Sequence, residues 1–126
     1  MNGLTELLKG ALEGIVLQHI AQGETYGYEI TKYLQDLGLE DIVEGTVYTV
    51  LLRLEKQGLL DVERRKSTLG PQRKFYSLNA AGQEYLTNFW AKWDFLAGKM
   101  TQLRKRKLQE QVSHPMARHR EMNCYL

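Results

Sequence analysis

A single cysteine and two prolines occur in 126 residues, and no run reaches the roughly 18 apolar residues needed to cross a bilayer. Lone Cys124 excludes an intramolecular disulfide framework and suits a reducing compartment. The first 20 residues lack the basic start, apolar block and small-residue cleavage site of an export signal. They carry Glu6 and Glu13 on an amphipathic pattern instead. The expectation is a cytoplasmic protein with no membrane contact. Charge of one sign is also scarce: 17 Lys and Arg against 15 Asp and Glu leave a net +2, so total charge does not point to a polyanionic partner. There is no glycine-rich phosphate loop, no HExxH and no convincing Ser/His/Asp grouping, so neither an enzyme nor a cofactor is expected. His114, His119 and Cys124 fit no strong zinc spacing, and no metal is expected.

What the chain does contain is periodicity. Its length allows one modest domain with an appendage. Leu4, Leu7, Leu8, Ala11, Leu12, Ile15, Val16 and Ile20 form a helical stripe, predicting a first helix that ends before Gly23. Thr25 suits the cap of a second helix with Tyr26, Ile30, Tyr33, Leu34 and Leu37 inside and Tyr28, Lys32 and Gln35 outside; Gly38 would end it. A third helix starts at Gly45 or Thr46 and stops at Gly58. "LLDVERR" then alternates as a half-buried strand does, and "RKFYSL", beyond a Gly-Pro turn, makes a second. Helices followed by a hairpin predict a mainly α fold with a small β-hairpin: a winged helix-turn-helix over residues 1–78, then a long dimerisation helix over 79–108 and a polar tail over 109–126.

The third helix, "EGTVYTVLLRLEK", has two faces. Val47, Val50, Leu51 and Leu54 share one side, while Thr49, Leu52 and Lys56 lie opposite, flanked by Tyr48 and Arg53. Such a face is either solvated or offered to a major groove. Arg64, Arg65, Lys66, Arg73 and Lys74 gather positive charge on the neighbouring hairpin, which favours phosphate contact over simple solubility. The candidate DNA-binding set is therefore Tyr28, Lys32, Thr46, Tyr48, Thr49, Arg53, Lys56, Arg64, Arg65, Lys66, Arg73 and Lys74. The alternative is a winged-helix module that docks on another protein without binding DNA.

"YGYEI" at 26–30, "EGTVYTVLLRLEKQGLL" at 44–60 and "RKFYSLNAAG" at 73–82, in this order and spacing, resemble the signature of PadR-like transcriptional regulators. The resemblance covers roughly the first four fifths of the chain. It implies a bacterial repressor that binds a near-palindromic operator as a dimer, third helix in the major groove and wing on the flanking backbone. Asn79 stands where a Thr is usual, "LGPQRK" replaces a more Gly- and Arg-rich wing tip, and Thr49 replaces a common Pro. The last of these is also found in the branch with short C-terminal segments that includes multidrug-responsive repressors.

In the last helix, Leu86, Phe89, Trp93, Leu96, Met100 and Leu103 repeat at three- and four-residue steps, the seam of a helix pair. This stripe, with Tyr85, Trp90 and Ala97 beside it, either folds back on its own domain or joins a homodimer. The width of the stripe favours the dimer. Trp90 and Trp93 are either core or the walls of a site for a planar hydrophobic molecule, as the resemblance implies for an indole at the place of Trp93. Gly98 interrupts the stripe, and "RKRK" at 104–107 is either a solvated helix end or a further DNA contact.

Overall fold

The computed structural model describes residues 3–67 and 70–112. The stripe expected to form one N-terminal helix is split into α1 (Leu4–Leu8) and α2 (Leu12–Ile20). Gly10 lies at the break, where its backbone entropy opposes helix, and α1 buries no residue that would offset that penalty. Next come α3 (Gly27–Asp36) and α4 (Glu44–Lys56), each ended by a glycine in the left-handed region, Gly38 at φ 115° and Gly58 at φ 74°. The amide two residues past each cap donates back into the last turn, Leu39 to Leu34 at 3.0 Å and Leu59 to Leu54 at 3.2 Å.

Val16, Leu17 and Ile20 of α2, Ile30 and Leu34 of α3 and the inner stripe of α4 form the core. Tyr33 and Leu37, expected inside, are 42% and 62% exposed. The inward line of α3 runs through Gly27, Ile30, Thr31 and Leu34, which rotates both residues outward. Tyr33 instead stacks on His19 of α2, with ring centroids 4.4 Å apart.

Strands β1 (Leu60–Ser67) and β2 (Gly70–Leu78) pair antiparallel, with Leu60 opposite Leu78 and Arg65 opposite Arg73. Strand β2 begins earlier than the predicted "RKFYSL" because pairing continues to Ser67 and Gly70 past an irregularity after Arg65. Thr25 is not the cap of α3; Tyr26 holds that place. Thr25 exchanges two backbone hydrogen bonds with Tyr76, at 3.1 and 2.8 Å, and so covers part of the free edge of β2. Its hydroxyl donates to Glu29 at 2.6 Å.

The last helix, α5, spans Ala80–Val112. Asn79 precedes it and works in both directions: Oδ1 accepts from the Gly82 amide at 2.8 Å, and Nδ2 donates to the Gly58 carbonyl at 2.9 Å. The departure from Thr at this position thus keeps a cap and adds a tie to the end of α4. The first compact unit of the chain runs through Phe89, and α5 from Trp90 onward belongs to a second. Residues 113–126, with His114, His119, Cys124 and most of the predicted tail, lie outside the described residues. Among the described residues, no helix is long and apolar enough to cross a membrane.

A Cβ at Gly82 would run into the Leu59 carbonyl and the Leu78 side chain, whereas one at Gly45 meets nothing within 4 Å. Gly82→Ala should therefore destabilise the fold by about 1–3 kcal/mol, while Gly45→Ala should be neutral or stabilise it by up to about 1 kcal/mol. Urea denaturation of the two variants would check the contrast.

Candidate nucleic-acid interface

Helix α4 buries Val47, Val50, Leu51 and Leu54, so its remaining positions are turned outward in two flanks. On the wing side, Tyr48, Leu52 and Glu55 border an open cleft of about 840 Å³ whose other wall is Arg64, Gly70, Pro71, Gln72, Arg73, Lys74 and Tyr76. On the opposite side, Thr46, Thr49 and Arg53 face Thr5, Leu8, Lys9 and Glu13 across a hollow of about 500 Å³. The two-residue period of β1 and β2 explains the wing wall: Val62 pairs with Tyr76 and Arg64 with Lys74, so these four share the face directed at α4.

The structure divides the predicted basic residues by their partners. Arg65 lies on the other face of the hairpin, over the Phe75 ring at 4.4 Å, and donates to Glu24 at 2.7 Å and Glu63 at 3.0 Å. Those carboxylates hold its guanidinium above its ordinary pKa, and hydrogen bonding to the guanidinium in turn pulls Glu63 below the usual carboxylate value. Lys74 reaches Glu55 of α4 at 3.4 Å, and Arg53 reaches Glu13 of α2 at 2.9 Å. Arg73 stacks on Tyr26 at 4.4 Å while lining the cleft. Among the described residues, no carboxylate forms an ion pair with Lys56, Arg64, Lys66 or Arg73. Tyr28 and Lys32 are exposed one turn apart on α3, and neither borders the cleft.

Tyr48 joins two of the quoted motifs. Its ring lies 2.8 Å from where a Cβ on Gly27 would stand, so the glycine of "YGYEI" makes room for the tyrosine of "EGTVYTV". Burial pushes its phenol pKa up, neighbouring Glu44 pushes it further, and Arg73 pulls it part-way back. Residue spacing does not reveal the acidic partners Glu13, Glu24 and Glu55, because they lie 40, 41 and 19 positions from the cations they hold. Nor does it reveal Tyr26 as a platform for Arg73, since periodicity places that ring only in the core.

The proposed seam on α5 falls into two parts. Leu86 is 3% exposed and Phe89 packs against the core, its ring over Gly14, so this chain's own winged domain already uses both. Trp90, Trp93, Phe95, Leu96, Met100 and Leu103 are exposed on the second unit. Of the basic run that follows, Arg104 and Lys105 are exposed.

This arrangement, a helix with a free face beside a basic hairpin, has close counterparts. The pattern of the transcriptional regulator PadR-like family matches residues 16–88, which include α3, α4, the hairpin and the start of α5. A Streptococcus transcriptional regulator of known structure is 43% identical, with a TM-score of 0.70 over 79% of this chain and 97% of that one. A PadR-like transcriptional regulator from Bacillus cereus is 38% identical, with a TM-score of 0.69 over 78% and 95% of the two chains. A transcriptional regulator of Mycobacterium tuberculosis is 34% identical over 84 residues, 67% of this chain and 77% of its own. The chain belongs to the PadR-like family of transcriptional regulators. Its fold is accordingly a winged helix, with the hairpin β1–β2 as the wing. The family is one of transcriptional regulators, which is consistent with the expectation that the chain is not an enzyme.

The phenols of Tyr48, Tyr76 and Tyr85 are all raised above the ordinary value of 10.0, chiefly by burial. A group whose pKa is higher folded than unfolded contributes stability that is whole below the unfolded value and lost as pH rises through the folded one. The alkaline loss of stability should therefore be shallower in Tyr48→Phe than in the parent, as read from urea midpoints below and above pH 10.0.

Proposed function

We propose that this PadR-like regulator is a repressor whose two copies bind a near-palindromic operator, α4 entering the major groove and the wing following the flanking backbone. One observation carries the reading: the outward face of α4 (Tyr48, Thr49, Leu52, Lys56) adjoins a wing on which Arg64, Lys66 and Arg73 stand without carboxylate partners among the described residues. Those cations suit phosphates, and Thr49 and Leu52 suit base edges, Leu52 by apolar contact with thymine methyls. Arg65 and Lys74, already paired, brace the wing. On α5, Trp93, Leu96, Met100 and Leu103 supply the seam for a second copy. A planar hydrophobic effector stacking on Trp90 or Trp93 would alter the spacing of the two reading helices and release the operator.

Replacing Arg64 and Lys66 together by Ala should weaken binding to every duplex and flatten the log–log salt slope by about 0.9 for each phosphate no longer neutralised. Arg65→Ala should change that slope less, and Thr49→Ala should reduce the preference for an operator selected from random duplexes over bulk DNA. Duplex affinity that is insensitive to salt would instead support a protein-docking module.

Leu96→Asp should place an unpaired charge in the seam and shift the chain to monomer in sedimentation at micromolar concentration. Operator affinity should fall with it, because linked half-site readers gain from effective concentration.

A further inference from the structure

Glu13, in the first turn of α2, has both carboxylate oxygens engaged by residues distant in the chain. Oε1 accepts from Arg53 Nη1 of α4 at 2.9 Å, and Oε2 accepts from the Tyr85 hydroxyl of α5 at 3.0 Å. The next residue, Gly14, is buried under the Phe89 ring. Helix α5 thus rests on α2 at consecutive positions, once through a polar contact and once through an apolar one. The Glu13 side chain is 19% exposed and that of Arg53 is 53% exposed, so the carboxylate is the sheltered partner and the guanidinium the accessible one. Arg53 is held on the flank of α4 away from the wing, beside Thr49 of the reading face.

We propose that Glu13 is a positioning residue: it competes with DNA phosphate for Arg53 and, through Tyr85, ties that competition to α5. The proposal rests on the DNA-binding reading above. A partly exposed ion pair is weak enough for a phosphate to displace. When DNA takes the guanidinium, Glu13 keeps only the Tyr85 hydroxyl among these two donors, and the seat of α5 on α2 changes. Linkage then requires that a displacement of α5 alter DNA affinity by the same factor. Arg53 is in this view a conditional phosphate ligand, whereas Arg64 and Lys66 are open ones.

The test uses the full chain and a duplex selected from a random library by the parent protein. Glu13→Gln keeps the side-chain shape but frees Arg53; affinity should rise roughly 3- to 5-fold while the salt slope stays that of the parent, because Arg53 neutralises the same phosphate in both complexes and only the competing carboxylate is lost. Arg53→Met in the Glu13→Gln background should cancel the gain. Tryptophan emission supplies the second readout, because Trp90 and Trp93, the only tryptophans, both lie on α5. Duplex binding should shift that emission in the parent, and Tyr85→Phe should lose most of the shift while its affinity stays within about 2-fold. Salt-sensitive binding by the parent with no gain in Glu13→Gln, or a full emission shift in Tyr85→Phe, overturns this inference alone. Failure of the parent to bind any duplex overturns the DNA reading and this inference together.

Discussion

The burial of Val47, Val50, Leu51 and Leu54 governs the molecule. These four residues stand on one stripe of α4 and contact the apolar faces of α2 and α3, so α4 has a single rotational setting in which the core closes. Every outward position follows from that setting. Tyr48 and Leu52 turn toward the wing, Thr46, Thr49 and Arg53 toward α1 and α2, and Lys56 to solvent. Two glycines outside α4 serve this setting. Gly58 turns the chain from α4 into β1, and Gly27 admits the Tyr48 ring at the start of α3.

A net charge of +2 conceals a strongly uneven surface. The carboxylates of Glu13, Glu24, Glu55 and Glu63 neutralise some cations and leave others open, and both faces of the wing carry a paired cation. On its outer face, Arg65 and Phe75 close against the segment before α3. On its inner face, Arg64 remains available within the cleft while Lys74 ties the wing to α4. In the proposed DNA-binding role, a wing fixed in this way would lose less ordering entropy when a duplex binds, so paired cations would favour binding without touching a phosphate.

Helix α5 meets two environments along one continuous apolar stripe. Its first turns are anchored by the Asn79 cap, by close packing at Gly82 and by Leu86 and Phe89 in the core. From Trp90 onward the stripe is exposed, and an exposed row of tryptophan, leucine and methionine calls for a partner surface. The Tyr85–Glu13–Arg53 connection lies just before that change, within the first compact unit.

Local patterns were readable from the chain alone wherever one residue type has one dominant physical use. Period 3.6 placed α3, α4 and α5, period 2 placed the hairpin, and glycines without a competing role ended α3 and α4, because these signals depend only on neighbours within a turn or two. The same reasoning joined α1 to α2, since periodicity cannot register that a short amphipathic turn fully buries none of its residues, and it put Tyr33 and Leu37 inside, since a shift of about 100° per residue separates core from surface. Which cations are open and which are paired, which aromatic rings support arginines, and where α5 passes from core to free surface were decided by tertiary structure alone. Each depends on residues tens of positions apart meeting in space, and charge pairing between distant positions leaves no period in a sequence.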